Sequence, residues 1–316
     1  MRLIWIAVAV GLFALVGVWL LGERGRLMRR STLAMVRLSG LRRFLNLATA
    51  HGYVYARFTY PYVLVGSQYI APLLGRRGKQ WLANHYHGKV LTTELAQELV
   101  TVREDIPLRD LEHVVPFPIA RDLVLAGPPD IAVYECPCRR LRDEPCEPTQ
   151  VCMVIGQPFV DFMIEHHPRS ARRLNQQEAV QLLQEEHERG HIHTAWFKDA
   201  SAGRFYAICN CCSCCCGGIE AMRDRGIPMI VSSGFVACVD ESQCSGCQAC
   251  AKGCPFGALA IGEGTSPPRL DWTKCVGCGA CEALCPTGAI SLVRDEAKGP
   301  PLDVRALIGE GSSGAE

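Results

Sequence analysis

Eight cysteines in a doubled spacing constrain this chain more than any other feature. Cys244-x-x-Cys247-x-x-Cys250-x-x-x-Cys254-Pro255 recurs 31 residues later as Cys275-x-x-Cys278-x-x-Cys281-x-x-x-Cys285-Pro286. The flanks repeat as well: Cys-Pro-Phe-Gly-Ala-Leu-Ala-Ile is matched by Cys-Pro-Thr-Gly-Ala-Ile-Ser-Leu. Each half therefore reads as a thiol-bearing loop, a short helix, a tight turn and a strand.

Three cysteines at x-x spacing let a looping backbone present three sulfurs to one cubane cluster. The fourth, before the proline, points away and serves the other cluster. On that logic Cys244, Cys247, Cys250 and Cys285 hold one [4Fe-4S] cluster, and Cys275, Cys278, Cys281 and Cys254 hold a second. Gly246, Gly277 and Gly279 let the loops turn tightly and aim amide N–H groups at sulfur, which tunes the reduction potential. Zinc also accepts four thiolates, but the doubled spacing with both prolines favours iron. Over about residues 238–294 the repeat resembles the bacterial-type two-[4Fe-4S] ferredoxin family. The resemblance implies one-electron transfer at low potential between two neighbouring clusters.

All 19 cysteines fall between Cys136 and Cys285, in a chain of 316 residues long enough to fold without a disulfide framework. Ten stand apart from the repeat: Cys136, Cys138, Cys146 and Cys152, then Cys209, Cys211, Cys212, Cys214, Cys215 and Cys216. Six thiols in eight residues cannot all face a core, and adjacent cysteines pair only with strain. These ten are candidate ligands for one or two further iron–sulfur clusters or another soft metal. One cluster plus a reactive dithiol is the other arrangement. Arg139, Arg140 and Arg142 would favour thiolates and balance cluster charge. The region resembles an uncharacterised Cys-rich bacterial and archaeal domain found with ferredoxin modules. The shared residues are the Cys136-Pro-Cys-Arg opening, the Gly190-His191-Ile192-His193 turn and the run from Cys209. That resemblance adds a boundary and little mechanism.

Leu3 to Leu21 carries no charged or strongly polar side chain. Its helical length of roughly 28 Å approaches the thickness of a bilayer's hydrocarbon core. Trp5 and Trp19 sit near its ends. Only Arg2 precedes it, whereas Arg24, Arg26, Arg29, Arg30, Arg37, Arg42 and Arg43 follow. The expectation is a single-pass helix in the cytoplasmic (inner) membrane with the carboxyl-terminal domains in the cytoplasm. The expected fold class is α+β: a transmembrane anchor (1–22), a basic, aromatic juxtamembrane segment (23–80), a mixed Cys-rich domain (81–235), a two-[4Fe-4S] ferredoxin domain with a pseudo-twofold β-α repeat (236–296), and a flexible tail (297–316).

Local signals fill in the rest. Residues 31–75 read as a core helix plus a strand, and Gly-Arg-Arg-Gly-Lys at 75–79 as a turn. Helices are expected from Thr93 to about Glu104 and from Asn175, whose capping box with Glu178 opens a helix that Gly190 stops. Ile131 to Tyr134 reads as a strand leading into the first cysteines. His187, His191 and His193 read as partners of a helix end rather than ligands, and Cys238 as a buried thiol. No dinucleotide fingerprint, phosphate-binding loop, c-type haem motif or radical S-adenosylmethionine signature occurs.

These features predict a membrane-anchored electron carrier with redox proteins and the lipid bilayer as partners, standing alone or as one subunit of a membrane redox complex. An oxidoreductase with a catalytic cluster or thiolate in the Cys-rich domain is the second reading, so the chain's status as an enzyme stays open. A redox or metal sensor is the third. A net charge of +1, from 33 Lys+Arg against 32 Asp+Glu, gives no footing for nucleic acid.

Overall fold

A computed structural model describes residues 2–39, 47–119, 121–262, 264 and 266–313. Arg42, Arg43 and Phe44 of the basic, aromatic stretch lie outside the described residues.

The chain is mixed α/β, organised by a seven-stranded sheet. Across the sheet the strands run Ala171–Leu174, Ile131–Glu135, Gln150–Ile155, Arg204–Cys211, Ile192–Lys198, Tyr86–Leu91 and Ile230–Val231. Every neighbouring pair is antiparallel except the last, which is parallel. The strand Ile192–Lys198 is buried at every residue, although His193, Thr194 and Lys198 are polar. The helices Thr93–Thr101 and Gln176–Glu188 pack on each other and on this strand. The second helix starts as its sequence predicts: the Asn175 side chain accepts from the Glu178 amide, and the Glu178 carboxylate accepts from the Asn175 amide. Gly190 follows in the left-handed region, φ 75°.

The carboxyl-terminal repeat is a smaller unit. The strand Phe235–Val239 pairs antiparallel with Ile290–Arg294, and Leu259–Ala260 pairs with Arg269–Leu270. Short helices Ala249–Gly253 and Ala280–Ala283 follow the two cysteine loops in equivalent places. The repeat is fastened to the larger unit by Ser233, whose amide donates to Val276 O and whose hydroxyl donates to Gly277 O, between Cys275 and Cys278.

Several expectations change. Among the described residues no helix is long and apolar enough to cross a membrane. The last turn of the amino-terminal helix Arg2–Gly22 packs on protein through Trp19 and Gly22, while Leu21 stays exposed. Trp19 stacks on Tyr53 at 5.1 Å and donates to Leu27 O, while Arg57 donates to the carbonyls of Leu21 and Gly22. Glu23, the next residue, is fully buried against Thr32. Residues 3–18, ahead of this anchorage, span only about 24 Å, short of the ~30 Å hydrocarbon core. The single-pass helix and the inner-membrane placement derived from it are therefore not upheld.

Residues 31–75 hold helices at Arg30–Ser39, Leu47–Arg57 and Thr59–Leu64 and a π-helical stretch at Val65–Ile70, in place of a helix and a strand. Gly75 opens the helix Arg76–His85 instead of forming a turn. Residues beyond Pro301, expected to fray, pack: Leu302 and Val304 are buried, and the Asp303 side chain accepts from the amides of Arg305 and Ala306 to start the helix Val304–Ser313. Cys238 is exposed rather than buried.

Candidate metal and thiol centres

All 19 cysteines are free thiols. In the repeat, Cys254, Cys275, Cys278 and Cys281 line one cavity with Phe256, Leu270 and Leu292. These are the four residues that spacing assigns to one cluster. Amide donors face the sulfurs: Ala258 N lies 3.2 Å from Cys254 Sγ, and the Ala280 amide donates to Cys278. Burial pushes the Cys278 thiol up to about 12 and raises Cys281 also. Buried thiols raised in this way, as Cys278 and Cys281 are, ionise only against cations, which the irons of a cluster would supply. The donor set, the apolar walls and the inward amides fit a cubane.

The other four are more open. Cys250 is buried, Cys244 and Cys285 are half-buried and Cys247 is exposed. Cys285 and Cys247 both act electrostatically on Cys250. Burial raises Cys285, but the Thr287 hydroxyl and the amides of Thr287, Ala289 and Ile290 outweigh it and leave that thiol lowered. Cys250 also acts on Cys281, so the two sets meet at these two buried thiols.

The ten middle cysteines divide into two groups. Seven line one cavity, Cys136, Cys138, Cys152, Cys209, Cys211, Cys212 and Cys216, and Cys212 is shared with the second group. Sheet register builds part of it. Met153 pairs with Ile208, which sets Cys152 beside Cys209 on the neighbouring strand, and Cys211 shares the face of Cys209 by strand alternation. Cys136 and Cys216 each cap the start of a short helix, Pro137–Arg140 and Gly217–Arg223, with nearly the same backbone angles (ψ 115° and 118°). Thiol hydrogen bonds run from Cys138 through Cys136, Cys152, Cys209 and Cys211 to Cys216, the last pair at 3.1 Å. Cys138 in turn acts electrostatically on Cys216, closing the ring. Donation from Cys138 and Cys152 holds Cys136 well below the usual thiol range. Donation from Cys209 and Cys216 lowers Cys211 to about 5. Their donors Cys138 and Cys216 are raised.

Trp196 forms the wall of this cavity, between two positions that exclude a side chain. A Cβ at Gly88 would lie 3.2 Å from the indole, and one at Gly218 2.8 Å from it. Trp196 Nε1 and Arg139 Nε, both on the lining, have no acceptor in the protein. Two buried donors aimed at a thiol cavity fit an anionic, sulfide-bearing group.

The second group is Cys146, Cys212, Cys214 and Cys215 with His191. Ligand atoms of Cys146, His191 and Cys212 lie within 4.8 Å of one another, as do those of Cys212, Cys214 and Cys215. His191 Nδ1 is 2.7 Å from Glu186 Oε2. With the proton assigned to Nδ1, where it satisfies the carboxylate, the Nε2 lone pair faces Cys146 Sγ at 3.6 Å. A carboxylate fixing a ligand histidine is a common outer support of metal sites. Burial pushes Glu186 up, but hydrogen bonds from His191 and Arg139 hold it below its ordinary value. Arg139, only 1% exposed, ties this support together by donating to Glu186 and to the carbonyls of Pro148 and Asn210. His191 thus belongs both with the thiols and with the helix end, where its amide also donates to Glu186 O, whereas His193 bonds Asn210 Oδ1 at 2.7 Å. The signal available in the sequence was the position of His191, one residue past the Gly190 helix stop.

Arg223 bridges this group to the repeat. Its Nη1 donates to Ser213 O, between Cys212 and Cys214, at 3.3 Å and to Pro255 O, next to Cys254, at 3.4 Å.

Residues 243–290 match the family described as the 4Fe-4S dicluster domain. The carboxyl-terminal repeat is accordingly an iron–sulfur, ferredoxin-type domain that holds at least one cluster. No curated protein matches the chain.

Proposed function

We propose that this chain is an iron–sulfur electron carrier whose carboxyl-terminal repeat holds two [4Fe-4S] clusters and passes single electrons to and from the middle thiol centre. Cys244, Cys247, Cys250 and Cys285 hold one cluster, and Cys254, Cys275, Cys278 and Cys281 the other. A bound cluster supplies reversible one-electron chemistry; the chain supplies ligands, amide donors and an apolar wall. The observation that carries this reading is the single cavity in which Cys254 of the first half meets Cys275, Cys278 and Cys281 of the second. The crossover is the arrangement of a two-cluster repeat. Arg223 supports the direction of the relay, because it joins the loop between Cys212 and Cys214 to the chain beside Cys254.

Iron and acid-labile sulfide counts on the anaerobically reconstituted chain test this. About eight irons load the repeat alone, and about twelve or more load the middle region as well. Paramagnetic resonance of the reduced protein should show two interacting centres. A colourless protein, or about four irons with one isolated centre, overturns the two-cluster reading.

A further inference from the structure

A large cavity lies beside the inner thiol cavity and shares Cys138 with it. About 700 Å³ in volume, it is walled by Val54, Phe58, Val65, Ile70, Leu82 and Met229, with further apolar side chains between them. That exceeds what packing leaves and falls in the range of small-molecule sites. Most of its exposed lining is apolar; the charged residues on it are the Glu220–Arg225 ion pair, 2.7 Å long, and Lys198 next to Asp199. Lys198, 2% exposed, ends the strand Ile192–Lys198 with its ammonium 3.5 Å from the Tyr55 ring centre, 4.5 Å from Tyr62 and 4.7 Å from Tyr86. It donates to Tyr62 Oη at 3.3 Å, and Tyr62 Oη lies 2.6 Å from His51 Nε2. Lys198, Tyr62 and His51 all line the cavity. Burial depresses the Lys198 ammonium to about 7, so it gives up a proton readily.

The position of the cavity is as telling as its chemistry. Tyr55, Val63, Tyr86, Cys138 and Gly218 line both it and the inner thiol cavity. An occupant is therefore separated from the thiol centre by one layer of side chains, two of them aromatic, and touches Cys138 directly. Such an occupant must be largely apolar, must carry an oxygen that accepts a hydrogen bond at one end, and gains a function from a neighbouring electron source if it takes electrons together with protons.

We propose that this cavity binds a quinone, with one carbonyl oxygen at Lys198 and Tyr62 and the ring against Tyr55 and Tyr86. The balance is quinone plus two electrons plus two protons giving quinol. The electrons arrive one at a time from the thiol-bound metal centre, which a low-potential one-electron donor refills. One proton passes from the Lys198 ammonium to the held oxygen and is replaced from solvent through His51 and Tyr62. The other reaches the second oxygen from water at the cavity mouth. The electron step rests on the electron-carrier reading above; the binding step does not.

Menadione is titrated into the full chain, before and after iron loading, and tryptophan emission is followed. Trp81 lines the cavity, and Trp196 stacks on Tyr86 with ring centres 4.6 Å apart. Saturable quenching is expected in both states, at least tenfold weaker in Lys198→Met and Tyr62→Phe, and undisturbed by decanoate. Lys198→Gln takes the place of Lys198→Met if the circular dichroism of that variant departs from the parent. In the loaded chain, reduced and then freed of dithionite by anaerobic gel filtration, one menadione should be consumed per two electrons held by the protein. Absent or non-saturable quenching, equal affinity in the variants, or displacement by decanoate at equal concentration overturns the site, the last by making it a carboxylate site. Binding without turnover overturns the electron step alone. Loss of iron with binding retained counts against the cluster reading and not against the cavity.

Discussion

In the carboxyl-terminal repeat, the thiols that share a cavity come from one stretch, Cys254 to Cys281, and short-range spacing sets their arrangement. In the middle region, the seven thiols of the inner cavity come from three stretches, around Cys136, at Cys152 and from Cys209 to Cys216, joined by the sheet. A loop-built site carries its geometry in its own sequence. A sheet-built site carries it in strand register, where a slip of one residue would turn Cys152, Cys209 and Cys211 to the opposite face. The first should therefore fail one ligand at a time, and the second should fail with the fold around it.

The sharpest test of that contrast removes one ligand from each. Cys281→Ser should cost roughly half the iron of the repeat, one cluster of two, and leave the far-ultraviolet circular dichroism of the sheet unchanged. Cys209→Ser should lower metal content only in the middle region, read as iron beyond that of the repeat. Loss of all iron in either variant would show that the two regions do not load independently.

The next largest effect is expected at Arg139. Its ion pair with Glu186, 2.7 Å long, has both side chains essentially buried. Arg139→Met leaves that carboxylate without its cation, and breaking a buried pair from one side costs about 3–5 kcal/mol. Urea unfolding of the metal-free chain measures this. A loss below about 1 kcal/mol would mean that Arg189 and His191, which also reach Glu186, carry the charge without it.

This difference in construction also explains how far the sequence could be read. The repeat, the capping box at Asn175 and the strand at Ile131 are local patterns, and each was visible. The partition of the ten middle cysteines was not, because it depends on Met153 lying opposite Ile208. Nor was the large cavity, since Lys198, Tyr62 and His51 meet only after residues 47–70 fold over the end of a strand more than a hundred residues later. The first helix misled for a related reason. Hydropathy registers the run from Leu3 to Leu21, but not that Tyr53 and Arg57 take up its last turn.

A smaller effect separates buried charge from metal chemistry. His166, 1% exposed, bonds Thr32 at 3.0 Å, and burial holds its pKa down at about 4 despite Glu23 nearby. Between about pH 6.5 and 4 the unfolded chain binds a proton that the folded chain refuses. Stability should therefore fall as pH drops through that window, by on the order of 2–3 kcal/mol from this residue. Denaturant midpoints of the parent and of His166→Gln, compared at pH 7 and pH 4.5, give the difference. An unchanged pH dependence in the variant would assign the acid sensitivity to other groups.

The smallest effect probes the one element shared by local code and long-range site. Asn175 caps the helix Gln176–Glu188, and Glu186 near its far end supports His191. Asn175→Ala removes a side-chain acceptor from the helix start and should cost about 1 kcal/mol. The cap and Glu186 are separated by three helical turns, about 16 Å. Sites that far apart with no shared partner are expected to add, so Asn175→Ala with Arg139→Met should sum to within about 0.5 kcal/mol. Additivity would mean that the helix is a rigid strut and that the His191 site senses only its last turn. A coupling above about 1 kcal/mol would mean that fraying at the cap reaches Glu186, and that the locally coded helix, as much as the sheet, sets the geometry of the middle thiol centre.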